Sequence, residues 1–326
     1  MKYFLIMNPG SRGGNSRKYF KKIFDILDGQ KVQYEYKITA SLDDAYRFSA
    51  DANRKGYDVI AAVGGDGTIN GVLNGFYDGQ GRRISCSGFG VVYTGTSPDF
   101  CKSYNIPISV EHAVKVLLRN KTNKIQIGRI TFAKNYDSEL NGKSIEALEE
   151  SRVRYFGCCA NIGLGVSLAR TANSGIRKKV GDYAGTFLSL IKTLAAYKPS
   201  DFTIKSDNGQ EERIEEVYSI SIGKTFYIAS GIKVNNNLEH GDGRFYNLTV
   251  KNIKMQDWMD VFKKIYSGKQ FVNNNVIYLD YSKVIEIYGN NQNPEIEFDG
   301  DPAGYLPCKI EMAKEPLDII CEVLYE

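Results

Sequence analysis

The sequence predicts an α/β plus β-rich fold: an N-terminal doubly wound domain with a parallel sheet, then a C-terminal antiparallel, β-sandwich-like domain with an inserted helix. Over the first third, short apolar strands alternate with single amphipathic helices, and strands connected in this way pair in parallel. After about residue 120, strand patterns follow one another with frequent turns, which favours antiparallel pairing. The predicted domains are residues 1–122 and 123–326, and we expect that the extreme C-terminal segment is able to pack back on the first domain.

The first domain is predicted to contain four strands with helices between them. Residues 16–28 carry aromatic and aliphatic side chains at helical spacing, with Lys and Arg between them. Ser41 and Asp44 give the next helix a capping-box-like start, and a short helix is predicted over residues 69–76. The strands are expected at residues 3–7, 32–38, 58–63 and 88–93.

The second domain is predicted to be rich in short strands. A long helix over residues 177–197 has basic residues at its start and an apolar stripe that we expect to pack on the sheet. A shorter helix is expected over residues 253–267. The strands are expected at residues 125–132, 153–161, 202–205, 217–222, 245–250, 276–278, 284–288 and 309–313.

Composition narrows the functional classes. The 326 residues are 42% hydrophobic and 25% charged, as in ordinary globular proteins, and a net charge of +4 is too small to indicate a nucleic-acid partner. The apolar start ends at Asn8-Pro9-Gly10, too early for a secretory or membrane-spanning segment, so a cytoplasmic location is expected. The six cysteines lack C-x-x-C spacing and are expected to be reduced core residues. Only two histidines are present, which argues against a histidine-rich metal site or a serine–histidine hydrolase.

The stretch Gly64-Gly65-Asp66-Gly67-Thr68 lies between a predicted buried strand and a short helix. Backbone N–H groups at such a turn point outward without partners and favour an anion, phosphate above all. Glycine has no Cβ, so a ligand can approach the backbone closely. Phosphate would be repelled by Asp66 unless a cation lay between them, which points to a nucleotide with Mg²⁺. The alternative is an ordinary tight connection between strand and helix.

Two further polar loops follow predicted strands. Residues 8–14 offer an Asn, a Ser, three glycines and the fixed positive charge of Arg12, although a plain turn is the alternative. Thr94-Gly95-Thr96 follows the fourth strand. Ligands of such sheets bind beyond the carboxyl ends of parallel strands, so we expect the three loops to gather at one edge.

A pair of carboxylates stands near the C-terminal end, where Asp299 and Asp301 flank Gly300. An Asp-Gly hairpin turn is the alternative interpretation. Beside a nucleotide loop, however, such a pair has the chemistry to hold Mg²⁺ and to accept the proton of an attacking hydroxyl.

These motifs, in this order, resemble those of the diacylglycerol kinase catalytic-domain family, which includes bacterial lipid kinases and the sphingosine and ceramide kinases. The Gly-Gly-Asp-Gly-Thr motif is shared with NAD kinases and phosphofructokinases, whereas the elements after it narrow the resemblance to lipid kinases. The resemblance covers nearly the whole chain. It is carried by Asn8-Pro9-Gly10-Ser11 with Gly13-Gly14, by residues 63–70, by Gly95-Thr96 with Asp99-Phe100, by Asp242-Gly243, and by Asp299-Gly300-Asp301.

The resemblance implies a kinase that uses ATP and Mg²⁺ to phosphorylate a lipid with a free hydroxyl, such as diacylglycerol, during transient contact with a membrane surface. Asp301 stands where the family has its proton acceptor, Asp299 would support it or hold metal, and Asp66 would lie near the catalytic Mg²⁺. The residues expected to form the ATP site are Asn8, Pro9, Gly10, Ser11, Arg12, Thr39, Gly64, Gly65, Asp66, Gly67, Thr68, Asn70, Thr94, Gly95 and Thr96.

The resemblance also implies a second, structural Mg²⁺ in the C-terminal half. Asp242 would supply its carboxylate, with Glu239 and the carbonyl of Arg244 as partners. A simple Asp-Gly turn is the alternative interpretation of this stretch.

The chain departs from the family pattern at three places. Asp301 stands where the family usually has Glu, Pro98 replaces an Asn, and Val166-Ser167 replace a frequent Asp-Ala pair. Two other functions stay open: a kinase of a water-soluble substrate of the NAD kinase type, and a non-catalytic nucleotide- or lipid-binding protein. A homodimer is compatible with the sequence, which fixes neither the oligomeric state nor the lipid.

Overall fold

The computed structural model describes most of the chain. Within the described residues, the strands form a six-stranded sheet, a ten-stranded sheet and a two-stranded ribbon. The described residues are 1–164, 166, 197–207, 209–228, 232–239, 241–254, 257, 267–268, 273–291, 294–299 and 301–322.

The first sheet is doubly wound and mostly parallel, as the alternation of strands and helices predicts. Its strands are β1 Lys2–Met7, β2 Gln33–Ile38, β3 Val59–Gly64, β4 Gly88–Tyr93, β5 Thr122–Ile125 and β18 Leu317–Ile320. Their order is β2-β1-β3-β4-β18-β5, and the first four pair in parallel. The last strand, β18, is parallel to β4 and antiparallel to β5. The central strands β3 and β4 are buried along their whole length, as parallel strands covered on both faces must be.

Five α-helices of the described residues accompany this sheet: α1 Phe20–Gly29, α2 Leu42–Arg54, α3 Asp66–Asn74, α4 Asp99–Ser103 and α5 Val110–Arg119. The capping box of α2 is confirmed, because the Ser41 hydroxyl accepts from the Asp44 N–H while the Asp44 carboxylate accepts from the Ser41 N–H.

Two predicted helix starts are wrong. Residues Ser11–Tyr19 form a 3-10 segment that contains left-handed φ values of 54°, 64° and 90° at Arg12, Gly13 and Gly14, so α1 begins only at Phe20. Conversely, α3 begins at Asp66, three residues before the predicted helix, because the glycine stretch itself supplies the first helical turn.

The predicted strand over residues 125–132 is in fact two strands in different sheets. Strand β5 ends at Ile125, and β6, Gly128–Ala133, begins the second sheet. Ile127, in the crossing between them, is buried in the core of the first sheet. Because the Ile127 side chain is apolar and buried, the sequence pattern indicated one continuous strand, although the chain passes from one sheet to the other at this residue.

The second sheet is antiparallel and β-rich, as predicted. Six of its strands follow one another as β10-β8-β16-β17-β15-β9, and β9 also pairs with β10, so these strands close into a ring around a shared apolar core. Strands β14, β13, β6 and β7 extend it. The strands, with the ribbon β11–β12, are β7 Ser151–Phe156, β8 Cys159–Gly163, β9 Ser200–Ser206, β10 Glu211–Gly223, β11 Tyr227–Ile228, β12 Ile232–Lys233, β13 Phe245–Lys251, β14 Ile277–Ser282, β15 Ile285–Gly289, β16 Glu295–Phe298 and β17 Asp301–Met312.

The predicted helices over residues 177–197 and 253–267 lie almost entirely outside the described residues. Five of the six cysteines are buried, Cys86 is exposed, and all six are free thiols. In the described part of the chain, no helix has the length and apolar character needed to cross a membrane.

Candidate functional site

Three loops meet at the carboxyl edge of the first sheet. The side-chain amide of Asn8 donates to the Thr68 hydroxyl at 2.8 Å, which ties the loop after β1 to the first turns of α3. The hydroxyls of Ser16 and Thr94 are 2.7 Å apart and join the 3-10 segment to the loop after β4. The expected gathering of these loops is therefore present in the structure.

Glycines let these loops approach one another. A Cβ on Gly95 would lie 2.6 Å from the Gly65 Cα, and a Cβ on Gly65 would lie 3.1 Å from the Ser11 hydroxyl. A Cβ on Gly64 would lie 2.4 Å from the Thr68 hydroxyl oxygen. A side chain at Gly95 would push two loops apart, and one at Gly64 would displace the Thr68 side chain that binds Asn8, so the structure favours glycine at both positions.

The N-terminus of α3 forms the floor of this cradle. Gly65 is its N-cap and makes no side-chain cap, so the first amides of the helix have no side chain to accept from them at that position. Gly67 and Thr68 lie in this first turn, and Thr68 is buried. These amides, together with the helix dipole, favour a negatively charged group above the turn.

Asp66 places a carboxylate at the same point. Its Oδ1 is buried and has no hydrogen-bond donor within the described part of the chain, while Oδ2 lies 3.4 Å from the Tyr93 hydroxyl. Burial raises the pKa of the Asp66 carboxyl well above its ordinary value, and the nearby Asp99 and Asp299 carboxylates add to the rise. The backbone N–H groups of Phe100 and of Asp66 itself oppose this rise, but burial outweighs them, so a cation beside Asp66 would favour its ionised form.

Asp299 has the opposite surroundings. Its oxygens accept from the backbone N–H groups of Gly157 at 2.8 Å and Cys158 at 2.9 Å, from the more distant Cys159 N–H at 3.4 Å, and from the Asn70 amide at 2.9 Å. Burial raises the pKa of the Asp299 carboxyl, and these donors oppose the rise. Because protein donors already surround it, Asp299 is better suited to positioning the backbone before Asp301 than to holding a metal.

Asn70 was expected at the nucleotide, and the structure directs its amide nitrogen elsewhere. That nitrogen donates to Asp299 and, at 3.0 Å, to the Tyr155 carbonyl of β7. Asn74, one turn later, donates to the same carbonyl at 2.8 Å and accepts from the Tyr155 N–H at 2.9 Å. Both asparagines therefore join α3 to the second sheet.

The remaining predicted nucleotide residues lie around the same edge. Thr39, at the end of β2, is buried and donates its N–H to the Met7 carbonyl at 3.0 Å. Arg12 is exposed and donates to the Tyr19 hydroxyl at 3.3 Å. Pro9 is half-buried, whereas Gly10 and Thr96 are exposed.

Asp301 begins β17, and its backbone pairs with Phe298 across the turn from β16. Its side chain and Gly300 lie outside the described residues, so the position of the expected proton acceptor is fixed only at the backbone.

The expected structural Mg²⁺ site near Asp242 has different chemistry. The Asp242 carboxylate accepts from the Arg244 guanidinium, with a contact of 2.7 Å, and from the Arg244 N–H at 3.0 Å. These bonds lower the pKa of Asp242. The carbonyls of Asp242 and Arg244 accept from the ammonium of Lys224, whose pKa burial lowers to about 8, so that it remains charged at neutral pH. Glu239 is exposed, and its carbonyl accepts from the Asp242 N–H at 3.1 Å. These residues do not fit a divalent cation.

The Asp66 carboxylate, in contrast, does fit Mg²⁺. No group of three or more metal-ligating side chains occurs among the described residues. Nucleotide-bound Mg²⁺ does not need one, because it keeps several waters and uses one or two carboxylates plus phosphates. Asp66, with its unpartnered buried oxygen, is such a carboxylate, and Asp99 is close enough to raise its pKa. Asp99 is part of a sequence motif but carried no predicted role, and Asn74 and Tyr155 could not be predicted because their partners are distant in sequence.

The chain is similar to diacylglycerol kinases along nearly its whole length. A model of the diacylglycerol kinase catalytic domain matches residues 2–130, and a model of the YegS C-terminal NAD kinase beta sandwich-like domain matches residues 161–321. A diacylglycerol kinase of Staphylococcus haemolyticus is 24% identical over 97% of this chain and 86% of its own length. One of Staphylococcus aureus is 24% identical over 97% and 90% of the two chains.

The fold is also found in a solved structure. The crystal structure of a diacylglycerol kinase from Bacillus anthracis matches with a TM-score of 0.68 at 20% identity, and the match covers 98% of this chain and 97% of that one. The catalytic-domain model thus covers the first sheet with its glycine cradle, and the C-terminal-domain model covers most of the antiparallel second sheet. The chain belongs to the diacylglycerol kinase catalytic-domain family.

Proposed function

We propose that this protein is an ATP- and Mg²⁺-dependent lipid kinase that transfers the γ-phosphate to a hydroxyl of diacylglycerol or a related lipid. The observation that carries the proposal is Asp66: a buried carboxylate oxygen without a donor in the described structure, set in a glycine cradle at the start of a helix. A metal-bound triphosphate satisfies both the outward amides and the carboxylate.

In this proposal, the three loops hold the nucleotide. The first turn of α3 faces the phosphates, the loops at Asn8 and Gly95 close around them, and Arg12 offers a positive charge nearby. Asp66 holds Mg²⁺, with Asp99 beside it. When bound, Mg²⁺ offsets the negative charge that builds up on a transferring phosphoryl group.

The second sheet supplies the acceptor side. Asp301 accepts the proton of the lipid hydroxyl as the hydroxyl oxygen attacks the γ-phosphate of ATP, with ADP as the leaving group. The Asp299 carboxylate positions Asp301 through the hydrogen bonds that it accepts from the Gly157 and Cys158 N–H groups. Because Asp is one methylene shorter than the Glu usual in the family, Asp301 must lie closer to the substrate or reach it through water. The lipid enters from a membrane surface, so the proposal includes transient membrane contact.

The test is phosphoryl transfer from labelled ATP with Mg²⁺ to diacylglycerol in mixed micelles, with NAD as the parallel acceptor. We expect label in the lipid and none in NAD. Asp66→Asn should lower transfer by about 10²–10³-fold, because charge stabilisation at the phosphates is lost. Label only in NAD would establish the water-soluble-substrate alternative.

A second experiment addresses the binding-only alternative. Asp301→Ala should abolish lipid phosphorylation while ATP binding persists, since Asp301 acts on the acceptor and not on the nucleotide. Unchanged turnover would exclude Asp301 as the proton acceptor. Tight ATP binding by the unmodified chain, with no turnover on any lipid of a bacterial-type extract, would favour a non-catalytic protein.

A further inference from the structure

The loop after the two-stranded ribbon, which contains Asp242, accepts a lysine ammonium from the segment before the ribbon. Lys224 follows the end of β10, and its backbone N–H donates to the Cys158 carbonyl at 3.1 Å, which fixes the start of its side chain. Its ammonium nitrogen lies 3.1 Å from the Gln126 side-chain oxygen, 3.3 Å from the Arg244 carbonyl oxygen, and within hydrogen-bonding distance of the Asp242 carbonyl.

These contacts saturate the ammonium. A lysine ammonium has three N–H donors and no acceptor, and here three oxygens accept from it. The aromatic ring of Phe245 adds a further favourable contact, with the nitrogen 5.8 Å from the ring centre. Oxygens of this kind, backbone carbonyls and a side-chain amide, are also ligands that hard divalent cations take.

The carboxylate expected to complete a metal site is occupied as well. Both oxygens of Asp242 accept from the Arg244 guanidinium, and one of them also accepts from the Arg244 backbone N–H. The Asp242 side chain is 16% exposed and that of Arg244 is 47% exposed, so this ion pair lies at the surface of the loop. Two protein cations, Lys224 and Arg244, thus supply the positive charge that this acidic loop needs.

We propose that the Lys224 ammonium takes the place of a structural divalent cation in this loop, so that the C-terminal half of the protein folds without bound Mg²⁺ or Ca²⁺. The inference does not depend on the kinase activity proposed above. Lys224 also reaches Gln126, in the crossing between the two sheets, so the same ammonium links the loop to the point where the chain changes sheet.

The test is thermal unfolding of the full chain in chelator and with added Mg²⁺ or Ca²⁺, without nucleotide. All proteins carry Asp66→Asn, which removes the other site where a divalent ion would act. The Lys224-containing protein should unfold at the same temperature in both conditions. Lys224→Met should unfold at a temperature lower by at least about 2–4 °C in chelator, and recover part of the loss with the divalent ion, because the vacated oxygens then accept a metal.

Lys205→Met is the matched control, since Lys205 lies on β9 of the same sheet, with a side chain 39% exposed and a long contact of 3.7 Å between its ammonium and the Glu211 carboxylate. It should change neither the unfolding temperature nor its dependence on metal. The proposal would be overturned if chelator lowered the unfolding temperature of the Lys224-containing protein and if this effect of chelator disappeared when Asp242→Asn was added.

Calorimetric titration with Mn²⁺ decides the matter even where Lys224→Met fails to fold. The heat of Mn²⁺ binding should be the same for the Asp66→Asn protein with Lys224 intact and for the same protein with Asp242→Asn added. Heat that disappears with Asp242→Asn would show that a divalent ion binds this loop beside the lysine, and would refute the substitution of metal by ammonium.

Discussion

At the scale of single residues, the surroundings of Asp66 suit a cation-bound carboxylate better than an ionised carboxylate in the ligand-free protein. Burial and two neighbouring carboxylates raise its pKa, so an ionised Asp66 destabilises the ligand-free fold. Removing the charge should therefore stabilise the free protein although it lowers phosphoryl transfer.

This reasoning gives the first prediction. Without nucleotide or divalent ions, Asp66→Asn should raise the unfolding temperature by about 2–4 °C near neutral pH, as measured by calorimetry or circular dichroism. The exposed Asp207, in the turn after β9, gives the control variant Asp207→Asn, which should leave the temperature unchanged. A fall in stability with Asp66→Asn would mean that the carboxylate has a stabilising partner in the free protein.

A second prediction concerns Gly95. Its Cβ would meet the Gly65 backbone at 2.6 Å, so Gly95→Ala must displace one of the two loops around the nucleotide. We expect at least about tenfold weaker ATP binding, equivalent to about 1.4 kcal/mol, measured by titration calorimetry. Gly79→Ala, where an added Cβ has no neighbour within 4 Å, should bind ATP normally. Equal affinities for the two variants would remove the loop after β4 from the site.

The sequence allowed the cradle to be predicted because its residues follow one another locally after strands. Gly64, Asp66 and Gly95 are recognisable from that position alone. The Asp242 loop could not be predicted in the same way. Its contacts depend on Lys224, eighteen residues before Asp242, and on Gln126, in the crossing between the two sheets. Neither contact leaves a pattern in the sequence.

At the scale of elements, the start of α2 shows how a local signal fixes a helix. The Asp44 carboxylate accepts from the Ala40 and Ser41 N–H groups, and these bonds lower its pKa. A group whose folded pKa is lowered stabilises the fold above its unfolded value of 3.8, and this contribution is lost as pH falls through the folded pKa.

The third prediction follows from that sign. Ser41→Ala should lower the free energy of unfolding by about 1 kcal/mol through loss of the cap. The stability difference between the unmodified chain and Asp44→Asn should be present at about pH 7 and should shrink towards about pH 3, as followed by urea unfolding. A difference that grows on acidification would show that the protonated form of Asp44 is the one that caps the helix.

Other elements could be predicted only in part. Strands β3 and β4 of the first sheet were found because a continuous apolar run has few interpretations there, whereas β18, which also belongs to this sheet, was not predicted. The start of α1 was misplaced because residues 16–19 belong to the 3-10 segment, and hydrophobic spacing does not separate a 3-10 turn from the first turn of an α-helix. The β5–β6 boundary was missed because Ile127, at the change of sheet, is as buried as a strand residue.

At the scale of the whole molecule, polar side chains of α3 join the two sheets beside the proposed site. Asn74 bonds both the N–H and the carbonyl of Tyr155, and Asn70 reaches Asp299. Asp66, on the same helix, is thereby held in a fixed relation to the turn that precedes Asp301.

The fourth prediction tests this connection. Asn74→Ala should lower the free energy of unfolding by about 1–3 kcal/mol, because the buried Tyr155 N–H loses its side-chain acceptor and the Tyr155 carbonyl keeps only the Asn70 donor of its two side-chain donors. It should also lower kcat more than ATP affinity, since the nucleotide loops stay intact while the acceptor side moves. The control is Asn135→Ala at an exposed position. A change in ATP affinity alone would place Asn74 with the nucleotide and not at the junction.

The central claim is that a cation allows the Asp66 cradle to hold a triphosphate, and ATP titration of the full chain with and without Mg²⁺ tests it most directly. We predict binding with a Kd of about 1 μM–1 mM in Mg²⁺, much weaker binding in chelator, and loss of that difference in Asp66→Asn. Absence of ATP binding, or a Mg²⁺ requirement that survives Asp66→Asn, would contradict the account.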